Sequence, residues 1–423
     1  MFRLNVMAGN RHTTYKIVRS QKIPFLLPAI IIIIVVISSM LVQTTNSLRV
    51  AVLGSGVAGA TAARTLADRG AEVTVFEAGF GIGGRTSTRI TRDGPQYQFD
   101  HGAQFIGQPK TESFRDCLDG WIKDGSVKEW SGRFASVDGL KINIENDNDN
   151  DSSKKERWVG YPRMNSICSN LLHHENIKVR TETRADASKN GEVWELRHGK
   201  TKENLGNFDW LIASDRNSGA HHRKDLSSAN VEEFTGGIRD MQSVKSITAM
   251  IVFEKPLNLN IDGLQFTGND SRFGSLGWVA RDTSKPGRER NDGKECWVLQ
   301  SHPDAAKELL KGKNNLNEIR EMAKDVLVHD FLESIPYLLA DNNENNNNID
   351  VPPIIASTGH RWGAAFPIPT QEFTEMESQV ITSKIFAACG DYFGKFSGKI
   401  EGAYLSGRSA ANEIIELNEE LFR

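Results

Sequence analysis

The chain has 423 residues, 39% of them hydrophobic and 25% charged, the balance of a globular body with enough length for two packed domains. Its formal net charge is −3, yet residues 1–22 hold five bases (Arg3, Arg11, Lys16, Arg19, Lys22) and no acid, leaving about −8 on the remainder by the same count. That acidity argues against a general nucleic-acid binder. The four scattered cysteines, with no CxxC pair, argue against a zinc ribbon or a disulfide scaffold.

The basic arm leads into residues 23–42, an almost continuous apolar run with a pure Ile/Val core at 30–36. Twenty helical residues reach about 30 Å, one bilayer core. This predicts a hydrophobic helix that serves as a membrane anchor. Ser38, Ser39, Thr44 and Thr45 offer a cleavage site for the alternative, a signal or organelle leader. With the positive flank first, an anchored body lies on the lumenal or extracellular side; after cleavage it is secreted or organellar. In a secretory lumen, Asn150 and Asn269 would be glycosylation sequons.

Residues 49–53 (Arg-Val-Ala-Val-Leu) read as a strand, followed by Gly54-Ser55-Gly56-Val57-Ala58-Gly59. An Ala-rich helix over 60–69 stops at Gly70, and residues 72–76 form a second strand ending at Glu77. In this βαβ unit Gly54 allows the tight turn, Gly56 lets backbone approach a pyrophosphate, and Gly59 lets helix pack on strand. The helix start points N–H groups at phosphate, and Glu77 stands where a carboxylate accepts ribose hydroxyls. A second cluster, Gly83-Gly84-Arg85, brings backbone and a guanidinium toward a cofactor, an element that an NAD-dependent domain does not need here.

Further along, the Asn/Asp-rich stretches 143–153 and 341–350 are solvated loops. Residues 248–253, 278–280 and 297–299 predict strands of a second sheet, and 315–332 a helix. From 402 to 417, Gly407, Ala410, Ala411, Ile414 and Ile415 share one buried helical face. The doublets His173-His174 and His221-His222 lack metal-site partners, so no metal is expected.

Taken together, these motifs resemble those of the FAD-dependent amine oxidases, and within them the renalase-like branch. The likeness runs from about Arg49 to the end. It is carried by residues 54–59 with Glu77, Gly83-Gly84-Arg85, Asp100-His101-Gly102-Ala103-Gln104, the run from Trp158 to Met164, Ser284-Lys285-Pro286-Gly287-Arg288, His360-Arg361-Trp362, Gly390-Asp391 and Glu401-Gly402-Ala403. It implies an α/β fold: a discontinuous Rossmann-like FAD-binding domain (49–107, 158–216 and 356–423) with an inserted α+β substrate domain (108–157 and 217–355). It also implies that Asp391 lies by the flavin phosphate and ribityl chain, and that the helix near Gly402-Ala403 aims its start at the flavin ring.

The resemblance thus gives non-covalent FAD held by Gly54, Ser55, Gly56, Val57, Ala58, Gly59, Glu77, Ala78, Gly83, Gly84, Arg85, Ala103, Gln104, Ala185, Gly390, Asp391, Glu401, Gly402 and Ala403. Trp362, His360 and Lys285 are the catalytic candidates. Trp362 is either a stacking wall or a core aromatic, His360 a proton carrier or a hydrogen-bonded structural residue, and Lys285 a holder of water at the flavin or an exposed turn lysine. His101 is read as holding the loop at Gly102. The implied reaction passes hydride from a dihydronicotinamide, or alternatively an amine, to FAD, which dioxygen reoxidises with release of hydrogen peroxide. The remaining alternative is a non-catalytic escort protein on the same scaffold. No protein partner is expected. The chain departs from the family pattern at Ser214-Asp215-Arg216, at Ala185, and at Gly363-Ala364-Ala365.

Overall fold

The computed structural model describes residues 47–92, 94–145, 155–219, 225–226, 228–239, 241–267, 272–340 and 351–422. The apolar run 23–42, both sequons, His221-His222 and the run 341–350 lie outside them. Among the described residues no helix is long and apolar enough to cross a membrane.

The β-branched runs near the start build the centre of the first sheet. Val50, Val52, Val73 and Val75 are all fully buried, as expected for strands covered on both faces. In spatial order the sheet runs Gln379–Ile381, Phe386–Ala388, Trp210–Ala213, Arg49–Leu53, Glu72–Phe76 and Ile177–Arg180. Every pairing is parallel except the outermost, between Gln379–Ile381 and Phe386–Ala388. Three distant passages of chain therefore share one sheet. Helix Val57–Ala67 crosses the C-terminal helix Ile400–Leu417 so closely that a Cβ on Gly407 would run into the Ala58 carbonyl oxygen. Ala410, Ala411 and Ile414 are fully buried and Ile415 nearly so, the predicted helical face.

A seven-stranded sheet forms the second layer. Its order is Ile354–Ile368, Gln242–Phe253, Glu295–Ser301, Leu276–Arg281, Gly263–Thr267, Phe134–Asp138 and Lys141–Ile144. Helix Leu316–Ala340 lays Ile319, Ala323, Leu327, Phe331, Ile335 and Leu338 against it, meeting Ile247, Ala249, Ile251 and Leu299 in one apolar core. This helix runs eight residues beyond the predicted end at 332 and passes over Pro336. The buried Ile335 and Leu338 flank that proline and offset its lost hydrogen bond.

The domain boundary at 356 also shifts. Residues 356–368, expected in the FAD-binding domain, belong to edge strand Ile354–Ile368 of the second sheet and pair antiparallel with Gln242–Phe253. Trp362 pairs with Ser246 and Phe366 with Val244, so Gly363-Ala364-Ala365 lie opposite Lys245 alone. That bulge turns the edge strand where it meets the first sheet. Trp158–Gly160 likewise pairs with Val127–Glu129 across the expected boundary at 157.

Candidate cofactor and substrate site

One broad cavity of about 2780 Å³ lies between the glycine turn, the edge strand and the start of the C-terminal helix. Pockets for single small ligands are about 300–1,000 Å³. This one has room for a dinucleotide and a substrate together.

Gly54, Ser55, Gly56, Val57 and Ala58 line it, with Glu77, Ala78, Gly83, Gly84 and Arg85. Gly54 has φ +106°, a value that only glycine adopts without strain. Gly59 faces away: a Cβ there would meet the Gly54 carbonyl and the Ser214 hydroxyl. Ser214, which opens the Ser214-Asp215-Arg216 departure from the family pattern, donates its hydroxyl to Leu53 O at 2.9 Å and Gly54 O at 3.1 Å, pinning the turn from behind. Helix Val57–Ala67 has no side-chain cap and no acid in its first turn, so its leading amides face the cavity unneutralised. The Glu77 carboxylate accepts from Ser55 N at 3.1 Å, Ser55 Oγ at 2.5 Å and Gly79 N at 2.6 Å, which locks it at the cavity rim.

Arg85 crosses to the other end of the chain. Its two terminal nitrogens donate to the Asp391 carboxylate at 2.5 Å each, and one also donates to the bulge carbonyl of Ala365 at 3.2 Å. A bidentate pair of this kind fixes both groups in orientation as well as distance. Gly390 donates its N–H to Ser406 Oγ at 2.9 Å, tying the same loop to the C-terminal helix. Ala103, Gln104, Ala185, Gly390, Asp391, Glu401 and Ala403 all line the cavity.

Like Gly59, Gly402 is an expected cofactor contact that the cavity lining lacks. A Cβ there would strike the Phe396 carbonyl, so its role is close packing. The Glu401 carboxylate is already engaged, accepting from Lys110 N at 3.0 Å, Thr111 N at 2.8 Å and Thr111 Oγ at 2.9 Å. It joins the C-terminal helix to the start of Glu112–Lys123.

Trp362 and His360 project from one side of the edge strand into the cavity, where His101 meets them. The rings of His101 and His360 stand edge to face at 4.7 Å, and Trp362 lies 5.0 Å from the first and 4.6 Å from the second. The Trp362 indole donates to His101 O at 2.9 Å, so this wall is braced as well as exposed to ligand. Sequence reasoning missed Gln300, which donates to Gly102 O at 2.6 Å behind the wall. At His360, expected as a proton carrier or a hydrogen-bonded structural residue, Nδ1 is buried without a partner. Burial, then the neighbouring His101, Arg89 and Arg320, push its pKa down to about 3. Burial and then Arg89 push His101 to about 4. Both imidazoles are neutral at physiological pH.

Lys285 is neither exposed nor in the cavity wall. It is fully buried, with Nζ 2.6 Å from Asp282 Oδ1, 3.2 Å from Gln104 Oε1 and 3.6 Å from Asp100 Oδ2. Arg288 donates to the same Asp100 oxygen at 2.6 Å. Burial alone would raise the Asp100 pKa, but Arg288, Lys285 and Thr88 hold it below the usual range, while burial keeps Asp282 raised. This ion cluster supports the loop from Asp100 to Gln104 from beneath.

The four cysteines are unpaired; burial pushes their thiols up to about 12. Among the described residues no group of three or more His, Cys, Asp or Glu is placed to hold a metal ion.

Residues 52–120 match the family model of the NAD(P)-binding Rossmann-like domain. The chain is similar in structure to a protein from Exiguobacterium sp. 255-15 designated a protoporphyrinogen oxidase, with TM-score 0.62 and 10% identity over 88% of this chain and 99% of that one. It is also similar to cyclohexylamine oxidase from Brevibacterium oxydans IH-35A (TM-score 0.59, 13% identity, 88% and 100% covered). A triple mutant of putrescine oxidase with redesigned cofactor binding matches comparably (TM-score 0.59, 12% identity, 88% and 100% covered). At such identities the shared property is the fold. The chain therefore carries an NAD(P)-binding Rossmann-like domain within the fold of these oxidases, an arrangement consistent with an FAD cofactor.

Proposed function

We propose that the chain is an FAD-dependent oxidoreductase that takes a hydride from a small reduced substrate. The observation that carries this reading is the convergence on one cavity of the uncapped glycine-turn helix, the Arg85–Asp391 pair and the wall of Trp362, His360 and His101. FAD, bound without a covalent link, would supply the electron acceptor and pass its electrons to dioxygen, giving hydrogen peroxide.

The chain's own residues orient and exclude. Trp362 and His360 offer angled aromatic faces, and the leading amides of the C-terminal helix offer partial positive charge, offset in part by Glu401 in the first turn. Neutral imidazoles neither donate a ready proton nor add charge. That suits an oxidation in which the substrate loses a hydride and needs no protein base.

The favoured substrate is a dihydronicotinamide, as in renalase-like enzymes. What supports this is that two runs carrying the resemblance, Asp100 to Gln104 and His360 to Trp362, meet at this wall. An amine substrate is the second reading, favoured by the names of two structural neighbours.

The test is an absorbance spectrum of the full-length chain, followed by anaerobic addition of reduced nicotinamides and, separately, of amines. Oxidised-flavin bands that bleach with a nicotinamide are the expected result. Bleaching by amines alone would move the assignment to the second reading. A colourless protein that takes up no FAD would overturn both and leave a non-catalytic binding scaffold.

A further inference from the structure

Two arginines at the cavity are absent from everything assigned above. Arg89 sits half-buried in the short strand Arg89–Ile90, paired with Phe99 two residues before His101. Arg320 lies near the start of helix Leu316–Ala340. A Cβ on Gly359 would run into the Arg320 carbonyl, so the helix is pressed against the edge strand one residue from His360. Both arginines line the cavity.

Among the described residues neither makes an ion pair with an acid. The charges that act on Arg89 are those of Arg320 and Arg92, which together with burial hold its pKa below the ordinary value. Arg89 and Arg320 both bear on His360 as well. Beside them the Nδ1 atom of His360 is buried without a partner. For the half-buried Arg89, a like charge nearby is costly unless a counter-ion offsets it, and the exposed Arg320 stands at the same cavity. Planar guanidinium forks are suited to a carboxylate or a phosphate.

We infer that Arg89 and Arg320 bind an anionic group, a phosphate or a carboxylate, carried by a substrate whose planar part lies against Trp362 and His360. This rests on the cavity being the substrate site proposed above. It narrows the substrate to a molecule with a flat ring and an anionic substituent, a description that fits a nicotinamide nucleotide and not a simple alkylamine.

The test is calorimetric binding of redox-silent ligand pairs to the FAD-loaded full-length chain. Nicotinamide mononucleotide and nicotinamide riboside differ by a phosphate; nicotinate and nicotinamide differ by a carboxylate. In the unaltered protein one anionic member binds about tenfold or more tightly than its neutral partner, and the pair that does so identifies the anion. Arg89→Gln and Arg320→Gln each bring that ratio below about twofold, while Arg89→Lys, which keeps the charge and loses the fork, falls between. Arg320 is exposed, so its variant does not put folding at risk. Equal affinities within both pairs, or a ratio unchanged in both glutamine variants, would overturn the inference. Because no turnover is needed, failure of the FAD assignment is seen separately, as a chain that takes up no flavin.

Discussion

The histidines at the cavity and the lysine beneath it make opposite demands on their surroundings. His101 and His360, held near 4 and 3, would titrate near 6.5 in the unfolded chain. Between those limits the unfolded state binds protons that the folded state refuses, so stability rises with pH across the window and is lost as pH falls through it. Thermal melting at pH 7.5, 6 and 5 should show this loss, and His360→Gln should make it shallower; an unchanged slope would mean that His360 titrates normally. Lys285 is different, because its charge is matched. Lys285→Met leaves Asp282 and Asp100 short of a cation and should cost about 3–5 kcal/mol in denaturant unfolding. A loss under 1 kcal/mol would show the cluster to be dispensable. Neither behaviour was legible in the sequence. A lysine before Pro286 looks like any turn lysine until Asp100 arrives from far upstream, and an imidazole's missing partner is a fact of packing alone. Arg89 gave one faint signal, its position four residues after Arg85, and Arg320 gave none.

Elements were easier to read where the signal is local. The glycine turn, the strands around it and Glu77 follow from neighbouring residues, and the spacing from Gly407 to Ile415 identified the buried face of the last helix. What failed were ends and memberships. The helix continues past Pro336 because its partner surface continues, and the strand through Trp362 joined the second sheet because its mate is Gln242–Phe253. The crossing of helices Val57–Ala67 and Ile400–Leu417 permits a direct check. Gly407→Ala should lower stability by roughly 1–3 kcal/mol, since the new methyl meets backbone in the facing helix rather than a side chain that can swing away. A melting temperature equal to that of the unaltered chain would mean the helices can separate at no cost.

At the scale of the molecule, a discontinuous nucleotide domain is the expectation drawn from the distance between its motifs, and the first sheet gathers its strands from equally distant passages of chain. Strands at 49–53, 210–213 and 386–388 lie side by side, and the second layer is inserted between them. Arg85 and Asp391, which pair at 2.5 Å, stand 306 residues apart in sequence. Glu401 reaches the amide of Lys110 across 291. During synthesis the glycine turn is made well before Asp391 and Glu401, the distant partners that close the cavity. Until then the nascent chain holds half a cradle, with its first parallel strands waiting for neighbours. A cofactor would thus be enclosed only after the segment from Asp391 to Leu417 has been made and docked, with helix Ile400–Leu417 as its latch.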